Sequence, residues 1–219
     1  ASSFVRTDNT SNFDYTPVYG RFCPILSGGA VGPCRTGLPD SNELSKITQE
    51  IRFSSSIGKK LSWMLGLFYT DEYGVNAQQL SALDTNDVPI PSLNPLLSYY
   101  SPNVYEEGAV FGNATYTFNV RFDVTAGGRW AKNSQVLHST LVGPLVGPDQ
   151  IIREASEADV FTWMISPRFH INDASMVYGR VATGYHPGGP NSPLPVVPPL
   201  FDSDTTTDYE AGYKASLLR

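Results

Sequence analysis

Charge is scarce in this chain. Asp, Glu, Lys and Arg make up only 16% of its 219 residues, while 41% are hydrophobic, so the chain is poor in charge for a soluble domain yet too apolar to be disordered. The formal net charge is -6 and no basic stripe runs through any segment, which excludes nucleic acid as a partner. Long hydrophobic runs are missing as well. The longest, such as Trp63 to Phe68, fall far short of the roughly 20 apolar residues of a membrane-crossing helix. No leader peptide opens the chain, which begins ASSFVRTDNT. The expectation is a processed protein or an excerpt of a longer one.

Residues that usually carry chemistry are few. The histidines are His138, His170 and His186, in separate segments and without metal-ligand spacing, so no metal site is expected. The run GGAVG at Gly28 to Gly32 is not a phosphate loop, because no strand feeds it and no Lys-Ser/Thr follows. There is no G-x-S-x-G nucleophile elbow. The adjacent carboxylates Glu106 and Glu107 would point to opposite sides of a strand rather than at one substrate. No catalytic residue, cofactor or enzyme activity is therefore expected. Asn113-Ala114-Thr115 matches a glycosylation sequon, but it lies in a segment of alternating apolar and polar residues expected to be a strand, where a chance match is the better explanation. Cys23 and Cys34 close the short Gly/Pro-rich loop CPILSGGAVGPC. A disulfide formed in an oxidising compartment is the expectation and two free thiols the alternative, since a metal would need further ligands nearby.

What the chain does have is glycine, proline, tyrosine and phenylalanine in quantity, a mixture that suits strands and turns. Period-two segments recur. Ile47, Ile51 and Phe53 alternate with Thr48, Glu50, Arg52 and Ser54, and in LSWMLGLFYTDEY the apolar set is Leu61, Trp63, Leu65, Leu67 and Tyr69. Val110, Ala114, Tyr116 and Phe118 oppose Asn113, Thr115 and Thr117; Phe122, Val124, Ala126 and Trp130 oppose Asp123, Thr125 and Arg129. Phe161, Trp163, Ile165 and Phe169 oppose Thr162, Ser166, Arg168 and His170. Val177 and Val181 oppose Tyr178 and Arg180, and Tyr209, Ala211 and Tyr213 oppose Glu210 and Lys214. A shorter first strand is expected at Ser2 to Asp8, for about eight in all. Alternation alone does not separate a membrane barrel from a soluble sandwich.

The connections do separate them. Ser56 to Lys60, Asn119 to Arg121 and Asn172 to Ala174 read as tight turns. Between them fall long ones, about Asn9 to Ser45, Gly74 to Val104, Ser134 to Asp159 and Tyr185 to Asp204. Long and short alternate strictly, so an up-and-down meander collects every tight turn at one end and every long loop at the other. Outer-membrane barrels have this asymmetry, with short periplasmic turns and long extracellular loops, and aromatic girdles such as Tyr116, Phe118, Phe122 and Phe169 beside the turns. If the apolar face meets lipid, then Glu50, Arg52, Asn113, Asp123, Arg129, Arg168, Arg180, Glu210 and Lys214 face the lumen. So many inward charges need water or a polar partner, which a large barrel supplies.

Several segments also resemble one family. VYGRVATGYHPGGPN, ITQEIRFSS with LSWMLGLFYTDE, VFGNATYTFNVRFDVTAGGRW and TTTDYEAGYKASLL are similar to recurrent strand motifs of TonB-dependent outer-membrane receptors, in family order over roughly residues 45 to 219. The chain departs from those motifs at Asn113, Thr183 and His186, where the family often has glutamate, lysine and arginine. The resemblance implies an all-β, antiparallel, up-and-down transmembrane barrel of about 22 strands with a plugged lumen. Residues 1–219 would then be a middle segment of that barrel, without its plug domain or final strands. The implied function is import of a scarce solute such as a ferric siderophore across the outer membrane of a Gram-negative bacterium. The implied partners are the lipid, the ligand, and TonB through a missing N-terminal region. Ligand contacts would come from loop and rim residues, among them Tyr99, Tyr100, Tyr185 and His186. The competing readings are a complete small eight-stranded barrel serving as anchor or adhesin, a passive porin, and a soluble carbohydrate-binding sandwich.

Overall fold

Alternating sequence becomes one long-stranded antiparallel sheet. A computed structural model describes residues 1–191 and 197–216. Its strands are β1 (Ser2–Asp14), β2 (Arg35–Ile57), β3 (Leu61–Leu83), β4 (Leu97–Asn119), β5 (Phe122–Val142), β6 (Gln150–Asn172), β7 (Ser175–His186), the short β8 (Gly189–Pro190) and β9 (Leu200–Phe201), and β10 (Asp204–Ala215). The main sheet is eight-stranded in the order β1-β2-β3-β4-β5-β6-β7-β10, each strand antiparallel to its neighbour. The sheet is open, with β1 and β10 at its two sides and not paired with each other.

The tight turns lie where the sequence places them, and local chemistry explains each. Gly58 takes a φ of 61°, which a glycine adopts without steric cost. At the next turn the Asn119 side-chain oxygen accepts the backbone N–H groups of Arg121 at 2.9 Å and Phe122 at 3.0 Å. At the third, the Asn172 oxygen accepts Ala174 N–H at 2.9 Å. Both are Asx turns, in which a side chain supplies the acceptor that a backbone turn would otherwise need.

The loops are shorter than expected and the strands longer. β1 runs on to Asp14 and β2 begins at Arg35, inside the expected Asn9–Ser45 loop. Leu83 and Leu97, not Gly74 and Val104, bound the next loop, and Val142 and Gln150 the one after. The Tyr185–Asp204 connection holds the β8–β9 pair, and its residues 192–196 lie outside the described residues. The ladder continues into these regions while the apolar face does not, so period-two hydrophobicity disappears before the pairing does.

Around the loop end of β2–β4 sits a small core. Cys23, Cys34, Leu80, Ala82, Leu93 and Leu96 are buried together, with Tyr15, Tyr19, Leu26, Val31, Ile90 and Leu145 packed against them. Two helical turns, α1 (Thr16–Tyr19) and α2 (Phe22–Leu26), carry the first loop over this cluster. Cys23 and Cys34 are bonded to each other, their Cα atoms 5.9 Å apart. Gly20 lies against the carbonyl of Cys34 so closely that a Cβ there would clash.

Candidate ligand-facing surface

Register decides which side chains share a face. Arg52 lies opposite Gly66, Gly66 opposite Phe111, Phe111 opposite Arg129, and Arg129 opposite Thr162. Glu50 lies one layer away on the same face, in line with Phe68 and Ala109. Asn113 heads a third row through Gly127, Met164 and Ala182. Nearer the tight turns, Asp123 is opposite Arg168, which is opposite Tyr178; Arg180 is opposite Glu210 and Met176 opposite Lys214. The whole set expected to face inward therefore lies on one face of the sheet.

Most charges on this polar face are paired, while Lys214 sits over the Tyr178 ring at 5.0 Å. Glu50 contacts Arg52, Lys46 meets Glu72 at 2.5 Å, and Arg129 meets Glu107 at 2.5 Å. Asp123 accepts from Arg168 Nε at 2.6 Å and bonds His170 Nε2 at 2.8 Å. Arg180 lies 3.7 Å from Glu210, and the Tyr178 hydroxyl donates to Glu210 at 2.6 Å. Guanidinium groups also sit over rings, Arg52 over Phe111 at 5.8 Å and Arg129 over Phe68 at 5.4 Å. These contacts hold planar charged groups over an open cavity of about 440 Å³, lined by Glu50, Arg52, Phe68, Phe111, Asn113, Arg129 and Arg180. The cavity offers hydrogen-bond donors and aromatic faces, and nothing in it is arranged as a nucleophile with its base. Among the described residues no group of three or more His, Cys, Asp or Glu is placed to hold a metal.

The other face is apolar and uncovered. Leu65 is 55% exposed and Phe161 62% exposed, and Trp63, Val124 and Ile165 share their face rather than a closed core. The apolar stretch ends abruptly on adjacent strands. Asp71 is opposite Glu106, Lys132 is opposite Asp159, and Lys132 Nζ lies 3.1 Å from Glu157. At the tight-turn end the rings of Tyr116, Phe118 and Phe122 cluster, with centroids 4.8 and 5.4 Å apart.

A family model described as TonB dependent receptor-like, beta-barrel, matches residues 1–219. This chain belongs to that family. Among solved structures it is similar to the ferric yersiniabactin uptake receptor FyuA from Yersinia pestis, with a TM-score of 0.70 and 16% identity over 98% of this chain. At that identity the likeness is one of fold, and the chain spans only 30% of that receptor's length. No curated protein matches.

Within this TonB-dependent receptor-like barrel, the four expected rim residues separate. Tyr99 and Tyr100 are not loop residues. They lie in β4, opposite Gln78 and Ala77, on opposite faces of the strand. The ladder reaches them because β3 and β4 pair well beyond the apolar band. Tyr185 and His186 end β7, paired with Thr205 and Asp204. The Tyr185 hydroxyl reaches Glu107, while the His186 ring stacks on Phe201 with centroids 6.2 Å apart. Sequence reasoning missed Glu107 as a hub. It accepts from Tyr105, Tyr185 and Arg129. The only signal was the position of Glu107 beside Glu106, which gives one carboxylate to each face.

Proposed function

We propose that this chain is part of the wall of an outer-membrane receptor that imports a scarce solute, such as a ferric siderophore, with energy delivered through TonB. One observation carries the reading: the same ladder is apolar and uncovered on one face and charged, with most of its charges ion-paired, on the other. The apolar stretch from Phe161 to Phe169, closed off by the Asp159 level, matches the roughly 9–11 residues of a tilted membrane strand. Lipid covers that face. Glu50, Arg52, Asn113, Asp123, Arg129, Arg168, Arg180, Glu210 and Lys214 line the lumen, which is wide enough to keep them hydrated.

The tight turns then face the periplasm, and the long loops, the first of them stapled by Cys23–Cys34, face outward. A polar plug and the TonB contact belong to regions of a larger barrel of about 22 strands. Solute passes along a wall of paired charges and rings, and no bond is made or broken by the protein. The test is uptake by cells carrying the native gene and starved of iron, supplied with radiolabelled ferric siderophores. Uptake that requires both the gene and TonB supports the reading. Ion conductance with uptake that ignores TonB would instead make it a passive porin.

A further inference from the structure

The last segment of β7 does something the rest of the sheet does not. Pairing between β6 and β7 stops at Met164 opposite Ala182, yet β7 stays paired with β10 as far as His186 opposite Asp204. At the point of departure the Thr183 hydroxyl accepts Trp163 N–H at 2.9 Å. Beyond it the chain folds across the polar face of β4–β6. The Tyr185 hydroxyl donates to Glu107, and Gln135 Nε2 donates to the carbonyl of Gly188 at 2.5 Å. Gly188 and Gly189 are buried, and a Cβ on Gly189 would lie 2.6 Å from Gln135 Oε1, so a larger residue there must push aside the side chain that holds the strap.

What lies beneath is unusual. Asn133 is 1% exposed, and neither its amide nitrogen nor its oxygen has a hydrogen-bond partner among the described residues. Ser156 Oγ is in the same position. Their strand partners Glu107 and Gln135 are the two groups that hold the strap. A surface kept permanently covered would bear the cost of those unpaired groups with no return.

We propose that residues 185–190 are a latch over a ligand-contact surface formed by Glu107, Arg129, Asn133, Gln135 and Ser156. The strap occupies it as a ligand would, with a hydroxyl donating to the carboxylate and a carbonyl accepting from the amide. Arg129 already neutralises Glu107, so the surface favours an uncharged hydroxyl- and carbonyl-bearing part of a solute. That part displaces Tyr185 and Gly188 and satisfies Asn133. The identity of the displacing solute as transported cargo rests on the import reading above; the latch does not.

Asn133→Cys in the native gene product, labelled on intact cells with a membrane-impermeant maleimide, reads the latch directly. Slow labelling that rises about tenfold or more with Tyr185→Phe or Gly189→Val is expected, the scale of losing one charge-assisted hydrogen bond. Fast labelling under the native strap, or rates indifferent to both variants, would overturn the latch. Should either variant fail to reach the membrane, the pair Gln135→Cys with Gly189→Cys decides: crosslinking supports the docked strap and its failure refutes it. N-acetyltyrosinamide, carrying a phenol and carbonyls, should slow Asn133→Cys labelling in the Tyr185→Phe background; no protection overturns the ligand class. Locking the strap by that crosslink should abolish solute uptake until reduction. If no form imports anything, the import reading fails while the labelling still decides the latch.

Discussion

Asp123 shows how a single carboxylate organises the polar face. Its side chain is 9% exposed and satisfies Arg168 and His170 together, on a face where most other charges are also paired. Removing it leaves a guanidinium and an imidazole with only water as partner. Asp123→Ala is expected to destabilise the barrel by about 1–3 kcal/mol, and Asp123→Asn by less, since an amide still accepts one bond. Denaturant titration of the membrane-inserted protein measures both, and equal losses would deny Asp123 a charged role. A second carboxylate acts outside the sheet. Asp84 accepts the backbone N–H groups of Val88 at 2.9 Å and Asn86 at 2.7 Å, and those bonds hold its carboxyl below the usual carboxylate range. The lowered value means that ionised Asp84 steadies the loop above its ordinary pKa of about 3.9, and that the effect is lost as pH falls through the lower folded value. Amide-exchange protection at Asn86 and Val88 should be flat from neutral pH to about 5 and decline below about 4. Asp84→Asn should remove that pH dependence.

At the scale of the element, β6 separates depth from exposure. Ile165 and Ile151 lie on the same face of this strand, Ile165 at 42% and Ile151 at 84% exposed. Between them come Asp159, Glu157 and Arg153, so Ile151 stands beyond the apolar band. In a soluble sheet, arginine at either site would cost little. In a membrane strand, Ile165→Arg should cost about 2–4 kcal/mol and Ile151→Arg about 0–1, because the penalty follows depth in the bilayer. Unfolding titrations in lipid vesicles read the difference, and two equal costs would place this face in water. The same boundary explains what was legible in the sequence. Inside the band, lipid on one side and water on the other force strict alternation, so Trp63, Leu65 and Phe161 declare their face and Asn119 declares its turn. Beyond the band both faces are wet or packed on loops. There β3 continues through residues 76–82 as NAQQLSA with no readable period, and Tyr99 passes for a loop residue. The strap was also hidden. Tyr185 reaches Glu107 across a gap of 78 positions, a contact fixed by where β7 leaves β6, and neither local pattern nor motif encodes it.

For the whole molecule, the informative feature is the pair of free sides. β1 offers one unpaired ladder edge and β10 the other, and such edges pair with further strands or aggregate. In a complete eight-stranded barrel these two strands would be hydrogen-bonded neighbours, and the ion-paired polar face would be squeezed into an interior barely wide enough for side chains. In a larger barrel they are separated by other strands around the circumference, and the cavity over Arg52, Arg129 and Arg180 keeps its water. Cysteine pairs discriminate the two in the native gene product within its membrane. Thr48→Cys with Thr70→Cys joins neighbours on β2 and β3, whose hydroxyls are 3.3 Å apart, and should crosslink readily under mild oxidation. Phe4→Cys, on the apolar face opposite Ile47, combined in turn with Tyr209→Cys, Ala211→Cys and Tyr213→Cys on that same face spans β1 and β10 and should yield no intramolecular crosslink at any register. A β1–β10 crosslink as efficient as the control would close the wall at eight strands, crowd the charged face, and remove the room that a transported solute needs.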